Sequence, residues 1–255
     1  MRGCRHRWAR RRLGENRRAA VLLVAALALT ACFFFAPAIL AGGDFGPLTD
    51  GHLVEAAFRA ELVASWQSAD QAMTQGLIHL VDYWRRYHAI KIGIGTALLA
   101  VLVQLGVSGR RRPRGVLYAL GALGLFALML VMVNIQATAA PLTALLQALP
   151  APDSAATAAT YSEIGEALAD HRSVPVLDAV INSFGDYHAV MAAQTAVVAG
   201  GFVACSVWAC RRRERLTGAL AALLAVGLMV ATVASARLSL DAVEALQPYF
   251  SGVER

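Results

Sequence analysis

Charged residues are scarce in this sequence: Asp, Glu, Lys and Arg together account for 16% of its 255 residues, and Lys91 is the only lysine. Hydrophobic residues account for 58%, and the mean hydropathy is +0.55. A soluble domain usually has about 25% charged residues, because its surface faces water. The composition therefore excludes an ordinary soluble domain and favours an integral membrane protein.

Cysteine is also rare, and the four residues are Cys4, Cys32, Cys205 and Cys210. Their spacing matches neither a zinc site nor a disulfide framework. His52 and Glu55, like His79 and Asp82, share a helix face at i and i+3, but solvated helix faces carry such pairs routinely. We therefore expect no structural disulfide, no metal site and no cofactor.

Catalytic motifs are absent as well: the sequence has no His-Glu-x-x-His, no Gly-x-Ser-x-Gly, no phosphate-binding glycine loop and no paired acids in an apolar run. The apolar runs also lack an ionisable residue at mid-depth, where ion-coupled transporters usually place one. These absences argue against an enzyme and weaken the case for a transporter.

Several apolar runs are long enough to cross a bilayer. A helix rises about 1.5 Å per residue and the hydrocarbon core is about 30 Å thick, so roughly 20 residues suffice. The runs predict an all-α fold with five transmembrane spans, at 19–41, 90–108, 115–138, 190–209 and 216–236.

The arginines predict how these spans are oriented, because Arg and Lys in short loops stay on the cytoplasmic side. Sixteen of the 22 arginines lie at 1–18, 110–114 and 211–215, with only two of the 17 acidic residues. The preference for Arg over Lys is typical of a GC-rich bacterial genome. We therefore predict a bacterial plasma-membrane protein with a cytoplasmic N-terminus and an extracytoplasmic C-terminus. Because the basic charge is a topology signal, we do not expect nucleic acid as a partner.

The first apolar run allows two interpretations. The residues Leu-Thr-Ala-Cys at 29–32 resemble the cleavage site of a bacterial lipoprotein signal, which would make Cys32 a lipidated residue. However, the run continues through Phe-Phe-Phe-Ala-Pro-Ala-Ile-Leu to residue 40, which favours a retained span over a short signal peptide.

An internal repeat is marked by Tyr-His-Ala, which occurs at 87–89 and again at 187–189. The same offset aligns Leu77 with Leu177 and Trp84 with Phe184, on one face of a helix. A second offset aligns Pro-Leu-Thr at 47–49 with 141–143. Ala/Leu-rich helices also align by chance, but the shared polar residues argue against that explanation. We predict two and a half parallel two-helix repeats, related by an axis along the membrane normal.

This repeat divides the chain into a basic N-terminus at 1–18, repeat 1 at 19–109, repeat 2 at 110–210 and a half repeat at 211–255.

The outer segments are 42–89 and 139–189. In the first, Thr49 or Asp50 is a candidate N-cap for an amphipathic helix, and a second apolar stripe runs from Met73 to Trp84. In the second, 149–160 predicts a flexible loop, followed by helices near 162–170 and 176–187. We expect these helices to pack together as an outer cap or to lie in the interface.

Candidate site residues lie near the outer ends of the second and fourth spans. His88 and His188 could bind a ligand or a proton, or they could serve as interfacial side chains whose polar tips reach water. Arg85, Arg86 and Lys91 need partners on the outer side, such as acidic side chains or anionic lipid. The candidate outer-face site comprises Asp82, Arg85, Arg86, Tyr87, His88, Asp186, Tyr187 and His188.

The odd half repeat would leave the fifth span without the partner that the other first spans have. We therefore expect its flank to bind another membrane subunit or a second copy of the chain, in addition to the lipid bilayer. The function this predicts is that of a non-catalytic accessory, assembly or scaffolding subunit of a bacterial envelope complex. The alternative is a small transporter or lipid-handling protein whose path runs between the repeats.

Overall fold

The protein, seen here in a computed structural model, is described over residues 2–42, 51–108, 113–149 and 151–250. Within these ranges, side chains are described from residue 17 onward, apart from residues 51, 52 and 114. Some sequence predictions lie outside the described residues: those on the Cys4 and His52 side chains, on the Thr49 or Asp50 cap, and on the arginines at 110–112.

Every regular element in the described ranges is a helix. The helices are α1 (Arg2–Leu40), α2 (Gly51–Gln67), α3 (Gln75–Ser108), α4 (Arg114–Ala139), α5 (Pro141–Leu146), α6 (Ala155–Ala169), α7 (Pro175–Arg211), α8 (Arg215–Leu240) and α9 (Ala242–Phe250).

Five of these helices, α1, α3, α4, α7 and α8, are long and apolar enough to span a membrane. This confirms the prediction of an all-helical, multi-pass membrane protein. In each apolar window only 6% to 17% of the positions are buried within the protein. Most side chains of the spans therefore face outward, where lipid can cover them.

Helices α3 and α7 are longer than the predicted spans, with 34 and 37 residues. In each, the amphipathic N-terminal stretch and the apolar stretch that follows form one continuous helix. The reason is local, since neither junction contains a proline or a capping residue that would end a helix. Pro175 begins α7 at the first turn, where its missing N–H costs no hydrogen bond.

The predicted flexible loop at 149–160 is only partly a loop, because α6 begins at Ala155. The Ser154 side chain accepts a hydrogen bond from the backbone N–H of Thr157 at 3.1 Å and caps the helix. The following alanines have high helix propensity. The prediction was wrong over 155–160 because it weighted small residues and prolines above this cap.

The chain divides into two compact units. Unit 1 comprises Met1–Pro47 and Arg86–Ile135. Its core forms where Leu98 and Leu102 of α3 pack with Ala127 of α4, and Ala26 and Leu29 of α1 pack against them. A Cβ atom added at Gly95 would lie 3.1 Å from Val131, so this glycine allows α3 and α4 to approach closely.

Unit 2 comprises Leu48–Arg85 and Gln136–Arg255. Among the described residues, the antiparallel helices α7 and α8 form an extensive interface, and α5 and α9 also pack on α7. Helix α6 packs on α9 and on α2. Phe58 of α2, Leu146 of α5, Leu168 of α6 and Leu246 of α9 are buried in this unit with 1% exposure or less.

Candidate functional site

The first Tyr-His-Ala copy places His88 on α3 beside α4, within unit 1. The Nδ1 atom of His88 lies 2.7 Å from Oδ1 of Asn134, which is itself buried. The Asn134 amide nitrogen already donates to the Leu130 carbonyl at 2.6 Å. Its oxygen is therefore the acceptor, and His88 donates from Nδ1. Asn134 was not predicted as part of this site, although a lone Asn in an apolar run was a signal for it.

Lys91 lies one turn after Tyr87 on α3, and two aromatic rings surround its ammonium group. Its Nζ is 4.4 Å from the centre of the Tyr87 ring and 5.2 Å from the centre of the Phe33 ring. Such contacts contribute about 0.5–2 kcal/mol each, and more where water is excluded. The sequence analysis predicted acidic side chains or anionic lipid as the partners of Lys91. The structure instead places the faces of two aromatic rings beside its ammonium group.

The second Tyr-His-Ala copy has different neighbours, all within unit 2. The ring of His188 lies 4.5 Å from that of Phe184, and Phe184 lies 6.4 Å from Tyr249 of α9. Tyr187 lies 5.4 Å from His188. Among the described residues no hydrogen-bond partner is found for the buried Nδ1 atom of His188. The C-terminal helix thus completes an aromatic cluster that the sequence did not reveal.

Asp186 lines a cleft of about 560 Å³ at the junction of α8 and α9. The cleft collects Asp186, Asp241 and Glu244, together with His171, which adopts a left-handed conformation with φ 51°. No lysine or arginine lines it. No group of three or more His, Cys, Asp or Glu side chains in the described part of the chain has the arrangement that a metal ion needs. The cleft therefore offers negative charge without a preformed metal site.

The remaining candidates lie near the surface. Arg85 forms an ion pair with Asp82 at 3.5 Å, and both side chains are about half exposed. An exposed pair of this kind contributes between 0 and about 1 kcal/mol. Cys32 is exposed on α1, and the helix continues past it to Leu40.

Polar side chains also join the membrane-spanning helices of unit 2 in pairs. Gln136 of α4 donates to Gln194 of α7 at 2.9 Å, and Thr195 of α7 lies 2.8 Å from Thr232 of α8. Gln136 and Thr195 are buried. In an apolar surrounding, each such interhelical hydrogen bond contributes about 0.6–2 kcal/mol.

A set of polar contacts, called here the α2–α6 latch, ties residues that are far apart in sequence. Trp66 donates to Oε2 of Glu163 at 3.0 Å, and Arg59 forms an ion pair with Asp153 at 2.8 Å.

After α2, the chain turns at Asp70. The N–H of Ala72 and the Ser68 hydroxyl donate to the Asp70 carboxylate and lower the pKa of Asp70 from its ordinary value.

We expect Glu163→Ala to lower the free energy of unfolding by about 1 kcal/mol, because it removes the acceptor for the buried Trp66 indole. Glu166→Ala is the matched control, since Glu166 is exposed on the same helix and should change stability by less than about 0.5 kcal/mol. Thermal unfolding in mild detergent measures both. Equal effects of the two substitutions would show that the latch contributes nothing.

Comparisons of the chain with family models, with curated proteins and with solved structures gave no significant match. The function is therefore argued from the arrangement of its own residues.

Proposed function

We propose that the protein is a non-catalytic accessory, assembly or scaffolding subunit of a complex in the bacterial envelope. The observation that carries the proposal is the use of polar side chains in its helices. His88 pairs with Asn134, Gln136 with Gln194, and Thr195 with Thr232. These groups hold helices together, which is the role expected of a structural subunit.

The proposed placement is in the plasma membrane, with the N-terminus in the cytoplasm and the C-terminus outside. The distribution of arginines supports it, because four spans, an even number, separate the basic N-terminus from the basic turn between α7 and α8 and so place both on the same side. The fifth span then places the C-terminus on the opposite side. In this topology α2, α5, α6 and α9 lie outside the cytoplasm and form a helical cap in unit 2.

The proposed architecture is two and a half parallel repeats. Helices α3 and α7 begin at Gln75 and Pro175, and α4 and α8 begin at Arg114 and Arg215, which supports the repeat offset found in the sequence. Helix α8 then begins a third copy, and α9 takes the place of its outer segment.

The proposed binding face for a partner is the flank of α8. Among the described residues, α8 packs mainly on α7 and to a smaller extent on α9. Its outward side chains include Leu220 and Leu223, which are 55% and 69% exposed. Another membrane subunit or a second copy of the chain would cover this flank, and the cap would present polar side chains to the same partner.

The test is to purify the tagged protein at native expression in mild detergent and to identify every chain that elutes with it in fixed ratio. We expect a partner in fixed ratio, or a homo-oligomer, because a scaffold acts through bound subunits. A photo-crosslinking residue at position 223 should capture that partner. The same crosslinking residue at position 197 is the matched control, because Val197 is 76% exposed but lies on α7. It should not capture a partner that binds the flank of α8.

A monomeric chain with no partner would contradict the proposal and would favour the transporter alternative. The two functions also differ in how they respond to loss of the imidazoles. Replacing Tyr87, His88, Tyr187 and His188 with Ala should leave partner binding in place for a scaffold, whereas a gated path lined by these residues should lose flux. The elution volume of each variant reports whether it still folds.

A further inference from the structure

The turn between α7 and α8 concentrates positive charge. Arg211, Arg212, Arg213 and Arg215 are all exposed there, and the turn contains one acidic residue, Glu214. The ion pairs formed by Arg59 and Arg85 in the described part of the chain do not involve these arginines. With four Arg and one Glu, residues 211–215 have a net charge of +3. Four positive charges in five residues attract an anion from outside the chain.

The backbone of the turn holds these charges close together. The N–H of Glu214 donates to the Ala209 carbonyl at 2.9 Å, and the N–H of Arg213 donates to the Cys210 carbonyl at 3.0 Å. This is the Schellman arrangement, in which the residue after the cap is left-handed and usually glycine. Here that residue is Arg213, with φ 61°. A side chain in this conformation costs free energy that glycine would avoid, so Arg213 makes the turn less stable than a glycine at this position would.

The surface beside the arginines is apolar. Trp208 is 55% exposed, and its ring lies 5.3 Å from the guanidinium group of Arg212. Val207 and Leu216 are exposed on the two helices next to it. Tryptophan at the end of a spanning helix typically lies at the level of the lipid headgroups. The arginines are thus positioned at headgroup depth, and an apolar surface continues from them into the bilayer.

We propose that this turn binds an anionic phospholipid, with Arg211, Arg213 and Arg215 on its phosphate headgroup and Trp208, Val207 and Leu216 against its acyl chains. A guanidinium group can donate two parallel hydrogen bonds to the oxygens of one phosphate group. Helix α8 begins at this turn, and the partial positive charge of its N-terminus adds to the attraction for an anion. Free phosphate would use the charges but would leave the apolar surface unused, and this favours the lipid.

The test is to measure by native mass spectrometry how tightly the full chain, in mild detergent, binds phosphatidylglycerol. Phosphatidylcholine serves as the zwitterionic comparison. The triple variant Arg211→Gln, Arg213→Gln, Arg215→Gln should bind phosphatidylglycerol about a hundredfold more weakly, since each Arg near an anionic surface contributes to the attraction. The corresponding triple Lys variant keeps the charges and should stay within about tenfold of the unmodified protein.

Two single variants keep the test valid if the triple Gln variant does not fold. Arg215→Gln and Arg237→Gln each remove one exposed arginine, from opposite ends of α8. We expect only Arg215→Gln to weaken phosphatidylglycerol binding, by about fivefold. Equal binding of the two lipids, equal effects of the two single variants, or displacement of the lipid by an equal concentration of inorganic phosphate would each overturn the proposal.

Discussion

Phe184→Ala is expected to lower the free energy of unfolding by about 3–5 kcal/mol, the range found when a buried aromatic side chain is truncated. Phe184 is only 3% exposed on α7. Its ring contacts His188 in the same helix and faces Tyr249 of α9. Its loss would open a cavity where α7 meets the C-terminal helix. Denaturation in mixed detergent micelles measures the change, and faster proteolysis near α9 should accompany it.

Phe126→Ala is the matched control for this prediction. The same side chain is removed from α4, but Phe126 is 55% exposed and leaves no cavity behind. Its effect should stay within about 0.5 kcal/mol. If the two variants were equally stable, the aromatic cluster of Phe184, His188 and Tyr249 would not be a packed core.

Gly218→Val is expected to destabilise the protein by about 1–3 kcal/mol through overpacking between α7 and α8. A Cβ atom at this position would lie 3.0 Å from Sγ of Cys210 and 3.5 Å from the Ser206 carbonyl oxygen. The Ser206 hydroxyl also donates to the Gly218 carbonyl at 2.9 Å, so the two helices are held close here. Valine would force them apart and weaken that bond.

Gly227→Val tests whether the effect comes from packing. Gly227 lies on the same helix, and a Cβ atom added there meets nothing within 4 Å. The change in helix propensity is the same at both positions, so only the contact differs. Unfolding midpoints in detergent should fall for Gly218→Val and stay nearly unchanged for Gly227→Val. A fall of similar size in both would mean that backbone propensity, and not contact with Cys210, sets the cost.

Much of the fold could be predicted because the signal is local. Each span requires only enough consecutive apolar residues to cross the hydrocarbon core, and this length is visible in the sequence. Four of the five expected spans lie within helices, and the first, 19–41, extends one residue past the end of α1 at Leu40. The prediction treated the amphipathic stretch and the apolar run of α3 and α7 as separate elements, although neither junction contains a residue that would end a helix. The Ser154 cap was a local signal that the prediction overlooked.

The candidate site was harder to predict because its contacts join distant residues. The Tyr-His-Ala copies indicated two equivalent histidines, yet the neighbours of His88 and His188 differ. Asn134 accepts from the first, whereas Phe184 packs on the second, with Tyr249 beyond it. Whether either histidine has a function beyond packing stays a prediction that the alanine variants test.

The sequence alone determined that the chain is a helical membrane protein with five spans, since hydrophobic length is a property of consecutive residues. The tertiary structure decided which polar groups meet: Lys91 with the Phe33 and Tyr87 rings, and Trp66 with Glu163. It also decided that α9 packs on α6 and α7. These contacts depend on the rotation of each helix about its axis and on which helices become neighbours. Both are set by packing between helices across the chain, which no single stretch of sequence specifies.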